Sequence, residues 1–179
     1  MVMKSHTSDC ENLTDSGFEL LPSCKSLSTL ICKGTFISNH GAEMVGQIRK
    51  IQTINFSECQ RIVDWEKIMR KISPEIDSID FSIIKSLTNN GVKELAFNCR
   101  QISSINLAGC IELNDLAIQY ISGVCRHLKY INISGLPHIS KRSIRFLKKV
   151  TYTHQCTSVY TCVHVCACVY KCVHVCTNA

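Results

Sequence analysis

The last stretch of the chain carries the side chains best suited to chemistry, because cysteine and histidine alternate there with valine. The segment Cys-Val-His-Val-Cys occurs twice, at residues 162–166 and 172–176. Thiolate and imidazole groups are ligands for zinc and copper, so one interpretation is a metal site. However, alternation places Cys162, His164 and Cys166 on one face of an extended strand, whereas structural zinc sites use two separated, closely spaced pairs. We therefore expect no bound metal and no other cofactor, and keep metal binding by this tail as an alternative.

Two other origins of these tail cysteines are open. A disulfide framework requires an oxidising compartment, and the N-terminus MVMKSHTSDC lacks the apolar core of a secretion signal. Translation of a TG-rich DNA repeat would also give alternating cysteine and valine, with histidine, alanine, tyrosine and threonine after single-base changes. The composition changes abruptly after Lys149. We predict that residues 150–179 are a low-complexity tail, disordered or of non-coding origin.

No arrangement of residues in the rest of the chain predicts catalysis. There is no glycine-rich phosphate loop, no paired acidic motif and no nucleophile beside a base. Cys59 and Cys110 are expected to be buried packing residues, as free cysteines often are. His40, His127 and His138 stand alone, without a partner at ligand spacing. The sequence predicts no catalytic residues and no enzyme.

Composition excludes two classes of partner. The chain has 179 residues, of which 45% are hydrophobic and 19% charged, and a formal net charge of +6. Its apolar runs are too short and too often broken by charges to span a bilayer. Its basic residues form no compact stripe with interleaved aromatic residues, so nucleic acid is not an expected partner. We expect a cytoplasmic protein that binds neither membrane nor nucleic acid.

A repeated pattern organises the residues before the tail. Each unit begins with apolar-x-x-apolar-x-apolar, as in Ile102-Ser-Ser-Ile105-Asn-Leu107. The first apolar residue recurs at intervals of 24, 25, 26 and 26 residues, at Leu27, Ile51, Ile76, Ile102 and Leu128. This period is typical of leucine-rich repeats.

The second half of each unit repeats as well. A buried position is expected at Thr35, Cys59, Ile84, Cys110 and Leu136, and a further apolar one at Ile37, Ile62, Leu87, Leu113 and Ile139. A helix start then follows at Ser38-Asn39, Val63-Asp64, Thr88-Asn89, Asn114-Asp115 and Ser140-Lys141. Most of these residues offer a side-chain oxygen to the free N–H groups of a first helical turn.

One strand and one helix cannot bury their apolar faces alone, so the units must stack. The pattern predicts an α/β leucine-rich repeat solenoid, a right-handed β-α superhelix with parallel concave strands and convex helices, plus an irregular C-terminal tail. Because residues 10–21 match only the back half of a unit, we predict an N-terminal extension over 1–9. The array then covers 10–149, with one half unit whose strand is missing or degenerate and five full units.

The concave strand face is the candidate binding site. Residues that point away from the core form three columns: Ile31, Asn55, Asp80, Asn106 and Asn132; Lys33, Ser57, Ser82, Ala108 and Ser134; Thr29, Thr53, Ser78, Ser104 and Tyr130. These columns are either solvated strand surface or a polar groove for a peptide or a partner helix. The predicted protein-binding residues are Thr53, Asn55, Ser57, Ser78, Asp80, Ser82, Ser104, Asn106, Tyr130, Asn132 and Ser134.

Two further features have alternative interpretations. Basic residues gather near the end of the array, at Lys141, Arg142, Arg145, Lys148 and Lys149, together with Arg126 and Lys129. They form either a solvated helix face or a patch for an acidic partner. Helical phase leaves Trp65 near the surface or between neighbouring helices, and we expect it to pack in the core rather than to act as an exposed binding hot spot.

The unit from Cys99 to Ile118 resembles the cysteine-containing repeat of the F-box and leucine-rich repeat protein family. Within that family, residues 26–147 are most similar to the dynein regulatory complex subunit 6 type. The stretches that carry this similarity are Gly34-Thr-Phe-Ile37-Ser-Asn-His-Gly41, Ser57-Glu-Cys59-Gln-Arg-Ile62 and Ser134-Gly135-Leu-Pro-His-Ile139-Ser.

The resemblance implies one of two functions. The first is a scaffold in the dynein regulatory complex of the ciliary axoneme, located in cytoplasm, cytoskeleton and cilium or flagellum. The second is substrate recognition in an SCF-type ubiquitin ligase. The implied partners are axonemal dynein regulatory complex subunits or ubiquitin-ligase substrates, bound by a chain that is monomeric within a larger assembly. No F-box precedes Cys24, so the resemblance implies a truncated isoform.

Overall fold

The computed structural model describes residues 3–6, as backbone only, and residues 14–147. The predictions for the tail at 150–179, including its metal-binding, disulfide and non-coding alternatives, lie outside the described residues. Lys148 and Lys149 of the predicted basic patch lie outside them too.

The strands form one parallel sheet whose order follows the chain, β1-β2-β3-β4-β5-β6. They span β1 (Met3–His6), β2 (Leu27–Ile31), β3 (Thr53–Asn55), β4 (Ser78–Asp80), β5 (Ser104–Asn106) and β6 (Tyr130–Asn132). Parallel strands require a crossover connection, and each successive pair is joined by a helical segment. One strand and one helical segment per unit is the arrangement that the repeat predicted.

The helices pack against one face of the sheet, and the hydrophobic core lies between the strands and the helices. They are α1 (Asn39–Gly46), α2 (Trp65–Lys71), α3 (Asn89–Asn98), α4 (Asp115–Val124) and α5 (Lys141–Ile144). Single turns of 3₁₀ helix at Asp15–Phe18, Leu21–Ser23 and Arg145–Leu147 complete the two ends. Pro74 falls in the exposed loop between α2 and β4, where its missing N–H removes no helix or ladder hydrogen bond.

The register of the sheet matches the repeat unit by unit. Leu30 pairs with Ile54, Ile54 with Ile79, Ile79 with Ile105, and Ile105 with Ile131. All five side chains are at most 1% exposed. Burying such a side chain contributes about 1.5–3 kcal/mol relative to leaving it exposed. The strands therefore supply one continuous apolar layer that no single unit could form.

All five helix starts are capped as the sequence predicted. Ser38, Asp64, Thr88, Asn114 and Ser140 are the N-cap residues, and each side chain accepts a hydrogen bond from a backbone N–H in the first turn. Such a cap typically contributes about 1 kcal/mol to the stability of its helix.

The helix starts are also tied to one another across units. The Asp15 carboxylate accepts hydrogen bonds from the backbone N–H and the hydroxyl of Ser38, at 2.7 and 2.5 Å. The Asp115 carboxylate accepts the same pair from Ser140, both at 2.7 Å. Burial alone would raise the pKa of Asp15, but these hydrogen bonds outweigh it and leave the pKa below its usual value. Both carboxylates are thus held charged at neutral pH.

The first unit was predicted to have a missing or degenerate strand behind an N-terminal extension over 1–9; the strand is present within that extension, so it is degenerate in sequence and not missing. Residues Met3–His6 form β1, which pairs in parallel with β2 through Lys4 to Thr29 and Ser5 to Leu30. The strand was missed because MKSH does not show the apolar-x-x-apolar-x-apolar pattern of later units. Backbone pairing requires only an available strand edge, and β2 offers one.

Each of the strands β2 to β6 is followed by a residue in the left-handed backbone region. These residues are Gly34, Glu58, Ile83, Gly109 and Gly135, with φ between 63° and 72°. Glycine adopts this conformation without a steric penalty, whereas a β-branched side chain is strained there. Glu58 and Ile83 are the non-glycine members, both with φ of 63°, and Ile83 is the β-branched one, with a side chain that is 49% exposed.

We predict that Ile83→Asn raises the free energy of unfolding by about 0.5–1 kcal/mol, since asparagine tolerates the left-handed region. Ile83→Val keeps the β-branch and should leave the stability within about 0.3 kcal/mol of the original, which makes it the matched control. Urea unfolding followed by circular dichroism measures both variants. Equal stabilities of the two would contradict the assignment of strain to this residue.

Candidate protein-binding surface

One column of hydroxyl-bearing side chains lies on the solvent-facing side of the strands. Thr53, Ser78, Ser104 and Tyr130 are cross-strand neighbours on β3 to β6, and all four are half-buried. The described part of the chain offers their side-chain oxygens no hydrogen-bond partner. Neighbouring strands lie about 4.8 Å apart, so this column is an evenly spaced row of hydroxyl groups across the sheet. We call it the hydroxyl row.

The amide and carboxylate column is used internally. The Oδ1 atoms of Asn55, Asp80, Asn106 and Asn132 each accept the backbone N–H two residues further on, at 2.7–3.1 Å. Asn106 Nδ2 also donates to Asp80 Oδ2 at 3.0 Å. These side chains turn the chain out of each strand, as Asx turns do. Their oxygens are therefore less available to a partner than the sequence columns implied.

The third predicted column offers little to a partner. The Ser57 hydroxyl donates to Asn55 at 2.6 Å, and the residue is only 3% exposed. The Ser82 hydroxyl donates to Asp80 at 2.7 Å in the same way. Ser134 is half-buried at the matching position after β6. Of the residues that the sequence nominated, those of the hydroxyl row are the ones whose side-chain oxygens have no hydrogen-bond partner among the described residues.

One column on the strand face was missed. Gln52, Asp77, Ser103 and Lys129 stand one residue before the hydroxyl row, and all but half-buried Ser103 are exposed. The apolar-x-x-apolar spacing could have found this column, because both x positions of the strand face outward. It adds Asp77 and Lys129 to the charges that Asp80 and Lys33 already place on this face.

The body cysteines occupy structural positions, as the sequence predicted. Cys59 and Cys110 are fully buried, and their thiols donate to the backbone oxygens of Cys32 and Phe81 at 2.9 and 3.0 Å. Burial raises the pKa of Cys99 and Cys110 to about 12. Such thiols are protonated at neutral pH and are poor nucleophiles.

The thiols of Cys32 and Cys59 influence each other's pKa. The neighbouring Cys59 thiol and burial raise the pKa of Cys32 well above its usual value, and the Cys32 thiol lowers the pKa of Cys59 to about 7. Both side chains are 0% exposed, so no substrate can reach either sulfur without local unfolding. The six cysteines among residues 14–147 are free thiols. Within the described residues, no three His, Cys, Asp or Glu side chains come together as a metal site would require.

The predicted basic patch is divided between two edges of the sheet. Lys141 and Arg142 begin α5, at the edge where the strands end. Arg126 and Lys129 lie in the loop before β6, at the edge where the strands begin. All four are exposed. The structure therefore does not bring them together as one surface.

Comparison with known proteins supports the fold and little more. No family model matches the chain. Among solved structures, it is similar to a chain in the crystal structure of the yeast Rad7 and Elc1 complex, with a TM-score of 0.63 and 14% identity. The fold is a leucine-rich repeat solenoid. The match covers 82% of this chain and 46% of that one, so the solenoid spans about half the length of its structural neighbour.

No helix among the described residues of the solenoid has both the length and the apolar character that crossing a bilayer would require.

Proposed function

We propose that this solenoid is a non-enzymatic scaffold that binds another protein along its strand face. The observation that carries the proposal is the hydroxyl row, which is ordered across four strands and engaged by no described group. Each hydroxyl can donate and accept a hydrogen bond, so the row suits a polar segment lying across the strands. Tyr130 adds a half-buried aromatic ring of the type that often dominates binding energy.

The parent assembly that we propose is the dynein regulatory complex of the ciliary axoneme. This proposal depends on the resemblance of residues 26–147 to the cysteine-containing repeats of that complex's subunit 6 type. It places the chain in cytoplasm, cytoskeleton and cilium. Substrate recognition in an SCF-type ubiquitin ligase is the second candidate, since the same repeat occurs in F-box proteins. The structural neighbour was crystallised with a second protein, Elc1, which is consistent with work inside an assembly.

The test uses the full chain, epitope-tagged, in ciliated cells. Ser78→Arg/Ser104→Arg adds two long cations in the middle of the hydroxyl row. The matched control, Asn90→Arg/Gln119→Arg, adds the same charge at exposed positions of α3 and α4. Quantitative mass spectrometry of the captured material measures the named subunits of the dynein regulatory complex, and Skp1 with cullin.

We expect the wild-type chain to capture dynein regulatory complex subunits. The strand-face variant should capture about tenfold less of them, as expected when a binding hot spot is changed. The helix-face control should keep their recovery within about twofold. Recovery of Skp1 and cullin instead would favour the ligase candidate. Equal recovery by both variants would overturn the strand face as the binding surface.

A further inference from the structure

A recess lined by cations lies at the edge where the strands begin, between the third and fourth of the five full units of the solenoid. Its volume is about 390 Å³, and Phe97, Arg100, Gly123, Arg126 and His127 lie along it. Arg100 follows Cys99, and Arg126 follows Cys125. Both cysteines are buried, and both backbone N–H groups cap the preceding helix, at Leu95 O and Ile121 O. The two arginines therefore occupy equivalent places in successive units.

The cations of this recess are not neutralised by any residue that the structure describes. Its lining contains no carboxylate, and no described residue forms a salt bridge with Arg100, Arg126 or nearby Lys129. Cations on the outer face of α2 behave differently, because Lys67 pairs with Glu43 at 2.6 Å and Arg70 with Glu94 at 3.1 Å. Those pairs join adjacent units, as structural ion pairs would. The recess lacks such partners.

The recess also has an apolar wall. The Phe97 side chain is 47% exposed, although it lies in a helix whose other large apolar side chains are buried. Its backbone oxygen accepts a hydrogen bond from Arg100 Nε at 3.3 Å, so the guanidinium is anchored to the end of the same helix. On the facing helix, a Cβ atom added at Gly123 would meet no described atom within 4 Å beyond its own helix backbone and chain neighbours. The recess is therefore open at this point. The partial negative charge at the C-terminus of a helix explains a cation at this site, but it does not explain an exposed aromatic ring in the same recess.

We propose that this recess binds a short acidic segment of a partner protein, with an apolar side chain against Phe97 and carboxylates on Arg100 and Arg126. Guanidinium groups favour carboxylates because they can form two parallel hydrogen bonds. A long polyanion such as nucleic acid fits less well, since the preceding unit presents exposed Glu75 and Asp77 before β4. The inference extends the proposed scaffold function and names the chemistry of one partner segment.

The test measures binding of the full chain to a fluorescein-labelled peptide of about ten residues, in which glutamates flank two leucines. A second peptide replaces every glutamate with glutamine, and a third contains the glutamates alone. Arg100→Gln/Arg126→Gln removes the paired cations. The matched control, Arg61→Gln/Lys85→Gln, removes the same charge from exposed loops at the opposite edge, where the strands end. Circular dichroism confirms that all variants are folded.

We expect Arg100→Gln/Arg126→Gln to weaken the acidic peptide about tenfold and the control to weaken it less than about twofold. Phe97→Ala should weaken the leucine-containing peptide about threefold and leave the glutamate-only peptide unchanged. Binding should fall as salt rises from low to physiological concentration. An equal loss of affinity for the acidic peptide in the two double variants would overturn the proposal that the recess is its binding site. So would equal binding of the glutamine peptide, or tighter binding of a short single-stranded oligonucleotide.

The two proposals fail separately. If the acidic peptides do not bind while the strand-face variant still loses its partner proteins, the scaffold stands and the recess is overturned. If the acidic peptide binds as expected while partner recovery is insensitive to Ser78→Arg/Ser104→Arg, the recess stands and the strand-face proposal is overturned.

Discussion

Replacing Trp65 with alanine is expected to lower the free energy of unfolding by about 3–5 kcal/mol, the cost of removing a large aromatic side chain from a packed core. Trp65 is the largest of the fully buried side chains and is 1% exposed. Total stabilities of single domains are typically about 5–15 kcal/mol, so this change would remove much of the stability. We expect no larger effect from any other truncation to alanine.

The size of this effect follows from what Trp65 contacts. Its ring packs edge-to-face against Phe56 and Phe81, with ring centres 5.7 and 5.1 Å away. These two rings belong to successive units, so Trp65 joins the core of one unit to the next. Its indole Nε1 donates to the Ser86 hydroxyl at 3.0 Å, and that hydroxyl donates to Ile62 O at 2.6 Å. Alanine would leave a cavity between units and break this chain of hydrogen bonds.

Urea unfolding followed by circular dichroism measures the loss, because the variant lacks the single tryptophan of the chain. Phe97→Ala is the matched control, since it truncates an aromatic side chain that is 47% exposed. It should cost less than about 1 kcal/mol. If Trp65→Ala unfolds at the same urea concentration as Phe97→Ala, the indole is not the link between units that its contacts indicate.

The repeat and the caps could be predicted from sequence because both are local signals. Apolar residues at a fixed period determine which side chains share a layer, and Ser38 or Thr88 caps a helix that begins one residue later. Helical phase left Trp65 near the surface or between neighbouring helices, and the structure buries it between helices and the sheet. Local signals could not show that Asn55 and Asp80 are engaged by their own strands, since that depends on the conformation of the turn that follows.

Features formed between units were harder to predict. The recess takes Arg100 from one loop and Arg126 from the next, 26 residues later in the chain. Its sequence signal is the recurrence of Cys-Arg at the end of two units, which composition alone does not reveal.

Leu116 shows a second limit of the sequence prediction. Its position in the apolar pattern of α4 suggests burial, yet its side chain is 46% exposed while Ala117 is buried. The third residue of the helix, and not the second, enters the core there.

That third helical position explains why small residues recur in these helices. It is occupied by Gly41 in α1, Gly91 in α3 and Ala117 in α4. A Cβ atom on Gly41 would lie 2.6 Å from Asp15 Oδ1, and one on Gly91 would lie 2.8 Å from the Cβ atom of Trp65. The first helical residue of one unit thus takes the space that a side chain of the next unit would need. Asp15 ends in a flexible carboxylate, whereas the Cβ atom of Trp65 is fixed to its backbone.

Gly91→Ala is therefore expected to lower the free energy of unfolding by about 1–3 kcal/mol, the usual cost of overpacking a core. The sign of this change in the free energy of unfolding is informative, because alanine is intrinsically favoured over glycine in a helix by about 1 kcal/mol. Gly123→Ala in α4 is the matched control. Apart from its chain neighbours and its own helix backbone, no described atom lies within 4 Å of the added Cβ, so this substitution should raise the stability by up to about 1 kcal/mol.

The retained Trp65 fluorescence follows both unfolding transitions and reports any movement of the indole in the folded state. We expect an altered folded-state emission spectrum for Gly91→Ala and an unchanged one for Gly123→Ala, because only the first substitution pushes on the tryptophan. A Gly91→Ala variant as stable as the original chain, with the same emission spectrum, would show that α2 and α3 can separate without cost. The close approach at Gly91 would then not be what fixes the spacing of the two units.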